Sequence, residues 1–412
     1  MSTTTAAPGA IYAPPDAAPG ATPTSRAARI VSLDIVRGAV MILMAIDHVR
    51  VYAGVPPGGP TAGVFFTRWV THFCAPAFVF LAGTAALLHG RKLGSTSALS
   101  KFLLTRGLWL IVLELTVLRF AWTFNFDYAN FTFAGVIWAI GWCMVLMAGL
   151  IHLPMAVIAA VGVVMVAGHN VVWGMLPSLM PAIQESPLRW LWQVLYVGGS
   201  FQIGEGGPTV AVLYSIVPWV GVMALGYAFG TVMSRPVEER RRVTLSLGIA
   251  AVLAFLVLRG FDLYGDPRPW SAQQNMPALL AFLNTAKYPA SLLFLLMTLG
   301  PTLIAVALLE HSRGRLARWI AVFGRVPFFY YVLHIPLIHV AAVLLSLVRT
   351  PESTSWLIAN HPLMPPDVPD GYRYSLPLLY AMFALVVVAL YFPCRWFAEL
   401  KARRKDAILS YL

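Results

Sequence analysis

Histidines with charged neighbours stand inside stretches of this chain that are otherwise apolar. In the run Ser32 to His48, Asp34 and Arg37 are three residues apart and His48 follows Arg37 by eleven. Eleven residues is about three helical turns, so Arg37 and His48 share a helical face about 16 Å apart along the axis. Asp34 lies on nearly the same side and can pair with Arg37. Asp47 adjoins His48 and Arg50 follows it. An imidazole so placed, with charged neighbours inside an apolar run, is a candidate functional group. A second group, Arg68 and His72 at i,i+4, offers a base on one face, with Pro76 a turn further on. The plainer alternatives are an interfacial Asp34–Arg37 ion pair, a polar helix end at His48, and a hydrogen bond across a helix interface at His72.

The remaining intramembrane candidates read as supports. Glu114 and Arg119, five apart and therefore on different faces, are each expected to bond to a neighbouring helix. Tyr330 and His334 lie one turn apart, which makes His334 a site-wall candidate, whereas His339 is rotated away and reads as packing. His89, His152, His169, His311 and His361 receive no role. Cys74, Cys143 and Cys394 have no paired spacing, so neither a metal centre nor a disulfide is expected. No Walker loop, dinucleotide fingerprint, HExxH or GxSxG stands in a credible context. Glu185 and Glu205 in a long outer loop could contact an acceptor, and Trp173, Trp190, Trp219 and Trp270 read as an aromatic belt.

The elements that must position these groups follow from composition. Of 412 residues 59% are hydrophobic and only 11% charged, which excludes an ordinary soluble enzyme. The expected fold class is an all-α integral membrane protein, a polytopic bundle of about ten transmembrane helices. The spans are placed near 36–55, 64–88, 103–123, 133–150, 152–170, 209–233, 243–261, 288–309, 327–348 and 375–395. Residues 1–28 form an Ala/Pro/Thr/Gly-rich tail expected to be disordered, 29–398 the membrane domain, and 399–412 a basic tail.

Net charge is +12, which topology explains better than nucleic acid does. Alternate loops and the two tails hold 19 of the 29 Lys and Arg residues, so both termini are expected to be cytoplasmic. The outer connections, about 170–208, 262–287 and 349–374, are long and rich in Trp, Pro, Gly and Asn. Such segments could handle a polar extracytoplasmic substrate.

Arg29 through Gly83, above all Ser32 to Gly38, Met44 to His48 and Phe73 to Gly83, resembles the bacterial membrane proteins with a heparan-alpha-glucosaminide N-acetyltransferase catalytic-type domain. Gly135 to Ile137, Tyr214 to Tyr227, Lys287 to Pro301 and Phe323 to His334 look similar too. The wider group includes acyltransferase type 3 proteins, in which a first-span Asp-x-x-Arg is followed by a catalytic His 11 residues after the Arg. Asp34, Arg37 and His48 match that pattern as they stand. Where a family member carries its histidine in the loop between the first two spans, residues 49–67 here hold none.

The resemblance implies an acyltransferase of the bacterial inner membrane. It would move an acyl group, expected to be acetyl, from cytoplasmic acyl-CoA to a hydroxyl or amine of an extracytoplasmic sugar or glycolipid. In that reading Arg37, Arg91, Lys92 and Arg106 bind CoA phosphates, His48 is base or acyl carrier oriented by Asp47, and His72 is second base or oxyanion donor. Asp34, Arg68, Glu114, Arg119, Tyr330 and His334 support the site, and no metal is required. Expected partners are membrane lipids and the glycan acceptor, with a homodimer as the assembly to test and no nucleic acid. The competing reading is a transporter or flippase in which the same Asp, Arg and His residues relay protons or substrate. A third is a non-catalytic partner of an envelope-modifying enzyme.

Overall fold

Apolar runs long enough to close their own backbone hydrogen bonds become helices, and in this protein almost every one does. The computed structural model describes residues 29–58, 61–273, 275–359 and 366–404. The expected tail 1–28, residues 405–412 and His361 lie outside the described residues. In chain order the helices are α1 (Val31–Tyr52), α2 (Ala62–Trp69), α3 (Cys74–Leu93), α4 (Thr96–Leu113), α5 (Arg119–Thr123), α6 (Val136–Leu150), α7 (Met155–Glu185) and α8 (Arg189–Trp192). They continue as α9 (Ile216–Met233), α10 (Val237–Gly260), α11 (Ala278–Leu283), α12 (Leu292–Leu308), α13 (Arg315–Arg325), α14 (Pro327–Arg349), α15 (Thr354–Ala359) and α16 (Leu376–Arg403).

Each of the ten expected segments contains helix, although two of them begin in extended backbone. Among the described residues six helical rods can cross a membrane by length and composition: Ala62–Leu93, which joins α2 to α3 through the 3₁₀ turn Val70–Phe73, and α7, α9, α10, α14 and α16. Two more, α6 and α12, are apolar but shorter. The third expected segment is not one regular helix. It is α4 and α5 joined by a π turn, Glu114–Leu118.

Four expectations require correction. The fifth segment does not stop near 170: α7 continues to Glu185 through Pro177 and Pro181, because the apolar run goes on and the two prolines, four apart, disturb the same side of the helix. The basic stretch from Arg315 to Arg325, which falls in the expected loop between the spans 288–309 and 327–348, is instead the helix α13, since its apolar residues recur at helical spacing between the arginines. The boundary at 398 falls inside α16, which runs on to Arg403. Trp219 is buried within the bundle and so does not belong to an aromatic belt.

The protein is not wholly helical either. β1 (Thr132–Ala134), β2 (Gly199–Gln202) and β3 (Thr209–Val212) form a sheet in the order β1-β3-β2. β1 runs parallel to β3, with Phe133 opposite Ala211, and β2 runs antiparallel, with Phe201 opposite Val210. The strands take the first residues of two expected spans, where β-branched Thr and Val favour extended backbone ahead of the helix start. This sheet sets the starting points of α6 and α9.

In lipid, helices gain little from apolarity alone, and small residues let backbones approach. The closest pairings here follow that rule with reciprocal glycines. Gly38 on α1 lies against the Ile320 carbonyl of α13, and Gly324 on α13 against the Asp34 carbonyl of α1. Gly83 and Gly226 do the same for α3 and α9, and Gly107 and Gly141 for α4 and α6. A Cβ at Gly324 or Gly226 would overlap the facing carbonyl oxygen. The helix carrying His48, α1, is packed by α3, α12, α13, α14 and α16.

Candidate active site

The last turn of α1 ends in a cavity of about 350 Å³. Its walls come from elements distant in sequence: Asp47, His48 and Arg50 from α1, Arg68 from α2, Trp122 from α5 and Tyr331 from α14. Tyr214 and Tyr288, in the segments leading into α9 and α12, and Arg373, just before α16, close it.

His48 is held by three aromatic rings and one hydrogen bond. Its ring stacks on His334 with centroids 4.8 Å apart and meets the edges of Trp122 and Tyr331. His48 Nδ1 is 2.6 Å from His334 Nε2. His334 Nδ1 in turn lies 2.7 Å from the Tyr331 carbonyl and 3.1 Å from that of Tyr330. Carbonyl oxygens only accept, so His334 Nδ1 must carry the proton. Nε2 of a neutral His334 then holds a lone pair, and His48 Nδ1 must be the donor. The remaining nitrogen, His48 Nε2, is left as an unprotonated lone pair with no hydrogen-bond partner among the described residues, on a side chain that lines the cavity. An imidazole so fixed is built to take a proton from a group entering that space.

Asp47 makes no hydrogen bond to His48 among the described residues. It accepts from Arg50 Nε at 2.7 Å and faces Arg68 Nη1 at 3.6 Å, so its single negative charge is shared between two arginines of the same wall. Arg50 is anchored further by donating to the Val55 carbonyl at 2.7 Å, and Arg373 by donating to the Gly54 carbonyl at 3.0 Å. Tyr214 and Tyr288 meet edge to face with their hydroxyls 3.5 Å apart. One carboxylate therefore sits among three arginines and two phenols, an arrangement that favours negative charge in the cavity.

Several expected site residues are elsewhere. His72, in the 3₁₀ turn between α2 and α3, is buried against Phe294 and does not line the cavity. Asp34 faces Arg37 at 3.6 Å while Arg37 donates to the Gly324 carbonyl at 3.2 Å, so this pair fastens α1 to α13. Arg91 and Lys92 are exposed in the last turn of α3, and Arg106 lies over the Phe102 ring on α4. None of these four basic residues reaches the cavity. Along the Ala62–Leu93 rod, Arg68 and Arg91 are separated by about 35 Å of helix rise.

The supporting residues have specific tasks. Glu114, in the π turn, is wholly buried against the start of α6, and Gly135 leaves the room that its Oε1 fills. Arg119 bonds not to a neighbouring helix but to the chain that follows it. It donates to the Phe131 carbonyl at 2.8 Å and to Asn125 Oδ1 at 2.7 Å, because Phe124, with φ of 47°, turns the backbone back over it. That fold-back carries β1. Tyr330 stacks behind His334 at 5.2 Å. His339 is packing, held between the Ala121 and Leu357 carbonyls.

A second cavity, of about 450 Å³, contains Arg259, Asp262 and Asp266. These charges are consumed internally: Arg259 donates to the carbonyls of Arg268 and Ala281, and Asp266 accepts from the Ala286 amide and the Ser291 hydroxyl. Its charged groups thus tie the surrounding loops together.

Reading the sequence gave no role to Trp122, Tyr214, Tyr288, Tyr331 or Arg373, and did not pair His334 with His48. Tyr214, Tyr288 and Tyr331 lie in the family-like stretches but are not singled out within them. His334 carries one local sign, since a helical His can donate to the carbonyls three and four residues back and so fix its own tautomer.

No curated protein matches the chain. The family model for the heparan-alpha-glucosaminide N-acetyltransferase catalytic domain matches residues 29–261, more than half of the chain, and so contains His48, Asp47 and Arg68. With the apolar helices described above, this makes the protein an integral membrane protein belonging to the heparan-alpha-glucosaminide N-acetyltransferase catalytic-domain family.

Proposed function

We propose that the protein transfers an acetyl group from cytoplasmic acetyl-CoA to a hydroxyl or amine of an extracytoplasmic sugar or glycolipid, with His48 as general base. The observation that carries this reading is the His48–His334 contact of 2.6 Å, anchored on the Tyr331 carbonyl, which directs one basic nitrogen at the cavity. Supporting it are the family's acetyltransferase identity and the cationic, phenolic wall.

In the reaction, His48 Nε2 takes the proton of the acceptor O–H or N–H as that atom attacks the thioester carbonyl. His334 Nε2 accepts from Nδ1–H of the imidazolium that forms and stabilises it. The oxyanion of the tetrahedral intermediate faces Arg68 and the Tyr288 hydroxyl. When the carbon–sulfur bond breaks, Nε2–H returns its proton to the departing thiolate, and His48 is neutral again. Asp47 keeps the arginines in place. His72, away from the wall, supports the bundle.

For the donor, Arg91, Lys92 and Arg106 would meet the CoA phosphates where the donor enters at the opposite rim, about 35 Å of helix rise from the His48 wall, so the donor would have to move inward before transfer. Ten spans, cytoplasmic termini and a bacterial inner membrane complete the proposal. The positive-inside distribution of Lys and Arg supports that orientation.

The test is turnover of labelled acetyl-CoA by the purified protein in vesicles, with and without a total envelope-glycan extract. Acceptor-dependent release of CoA with label entering glycan supports the proposal. A folded protein that neither binds nor turns over acetyl-CoA, yet moves glycan across the bilayer, would replace it with the transporter reading.

A further inference from the structure

At the end of the bundle where α13 meets the C-terminal part of α16, four arginines, Arg315, Arg318, Arg325 and Arg395, surround a hollow of about 650 Å³. One carboxylate, Glu399, shares it and pairs with Arg395 at 3.0 Å. Arg318 donates to the Arg313 carbonyl at 2.8 Å, and Arg315 and Arg325 have no hydrogen bond or ion pair among the described residues. The floor is Trp319 stacked on Tyr391, 5.6 Å between centroids. This hollow shares no residue with the cavity at His48.

The surface leading away from it is apolar and exposed. On α16, Leu385, Val388, Phe392 and Trp396 are spaced by three or four residues, so they form one stripe along the helix, and each is more than half exposed. Leu316 on α13 is 70% exposed beside the same arginines. A cup of excess positive charge at the head of an outward apolar stripe matches a ligand with an anionic phosphate ester and hydrocarbon chains.

We propose that this cup is a binding site for one anionic glycerophospholipid, its phosphate held by Arg315, Arg318 and Arg325 and its acyl chains lying along Leu385, Val388 and Phe392. Guanidinium forks suit phosphate oxygens, and Trp319 and Tyr391 mark the depth of the headgroup region. Because a free phosphate ester shares the head chemistry, the stripe is what selects the lipid. The site does not depend on the catalytic proposal.

The experiment is native mass spectrometry of the full chain released from micelles holding phosphatidylglycerol or phosphatidylcholine of identical chains, followed by titration with each lipid. Retention of one phosphatidylglycerol in preference to phosphatidylcholine, weakened at least tenfold in an Arg315→Gln/Arg325→Gln double variant, is the expected result. Equal retention of the two lipids by the unaltered protein would overturn the proposal without any variant having to fold. Undiminished phosphatidylglycerol binding in the double variant would also overturn it. Displacement of the lipid by millimolar glycerol 3-phosphate would reassign the cup to a soluble phosphate ester.

Discussion

Replacing His334 by Phe tests the histidine pair more sharply than removing His48 itself. Phe keeps a ring between His48 and Tyr330 but offers nothing to accept from His48 Nδ1, which His334 Nε2 now meets at 2.6 Å. The lost bond matters most when His48 is protonated, because its partner is then a charged donor. A hydrogen bond to a charged group contributes about 1.5–3 kcal/mol, which is roughly a 10- to 150-fold loss in rate. His334 does not line the cavity, so substrate affinity has no reason to change. The expected pattern is therefore a kcat lower by one to two orders of magnitude with KM nearly constant, the signature of an interaction made in the transition state. His334→Gln, whose amide oxygen can accept from Nδ1, is expected to recover part of the rate. The assay is initial-rate release of CoA from vesicles over a range of acetyl-CoA and acceptor. A well-folded His334→Phe protein within about threefold of the unaltered kcat would refute the role given to the histidine pair.

Three further outcomes follow from the geometry. His72→Ala is expected to keep its activity to within about an order of magnitude in the same assay, because the ring lies against Phe294 and off the cavity wall; abolition of turnover in a folded variant would restore His72 as a base. Asp47→Asn removes the counter-charge of Arg50 and Arg68 and is expected to cost on the order of 3 kcal/mol in stability, read as a lower unfolding temperature in detergent; an unchanged midpoint would show that the ion pairs are dispensable. Gly324→Val would push a side chain into the Asp34 carbonyl and part α1 from α13, destabilising by at least about 1–3 kcal/mol, whereas the same change at Gly314, where nothing is near, is expected to be mild; equal thermal shifts would contradict the crossing argument.

Hydropathy was sufficient to locate the rods, because a backbone in lipid must satisfy itself and helix is the local way to do so. It failed where cues conflicted. Pro177 and Pro181 suggested a loop inside a helix, and the arginines of α13 suggested a loop where an amphipathic helix lies. The strands were hidden because three or four extended residues running into a helix leave no period to read. At the site, His48 and Arg68 stood out as ionisable groups in apolar sequence. The pairing of His48 with His334 spans 286 positions and is made by the packing of α14 on α1, which no local spacing encodes. Asp47 was expected to serve His48 because the two adjoin. On a helix, adjacent residues point about 100° apart, and Asp47 reaches Arg50 on its own side instead.

The most direct test of the account is acetyl transfer to an envelope-glycan extract by unaltered protein and by His48→Ala, in the same vesicles and at matched amounts of folded protein. The account predicts that label reaches glycan only with His48 present, with a loss of about 10²–10⁴-fold in the variant. Transfer by His48→Ala at the unaltered rate would contradict it.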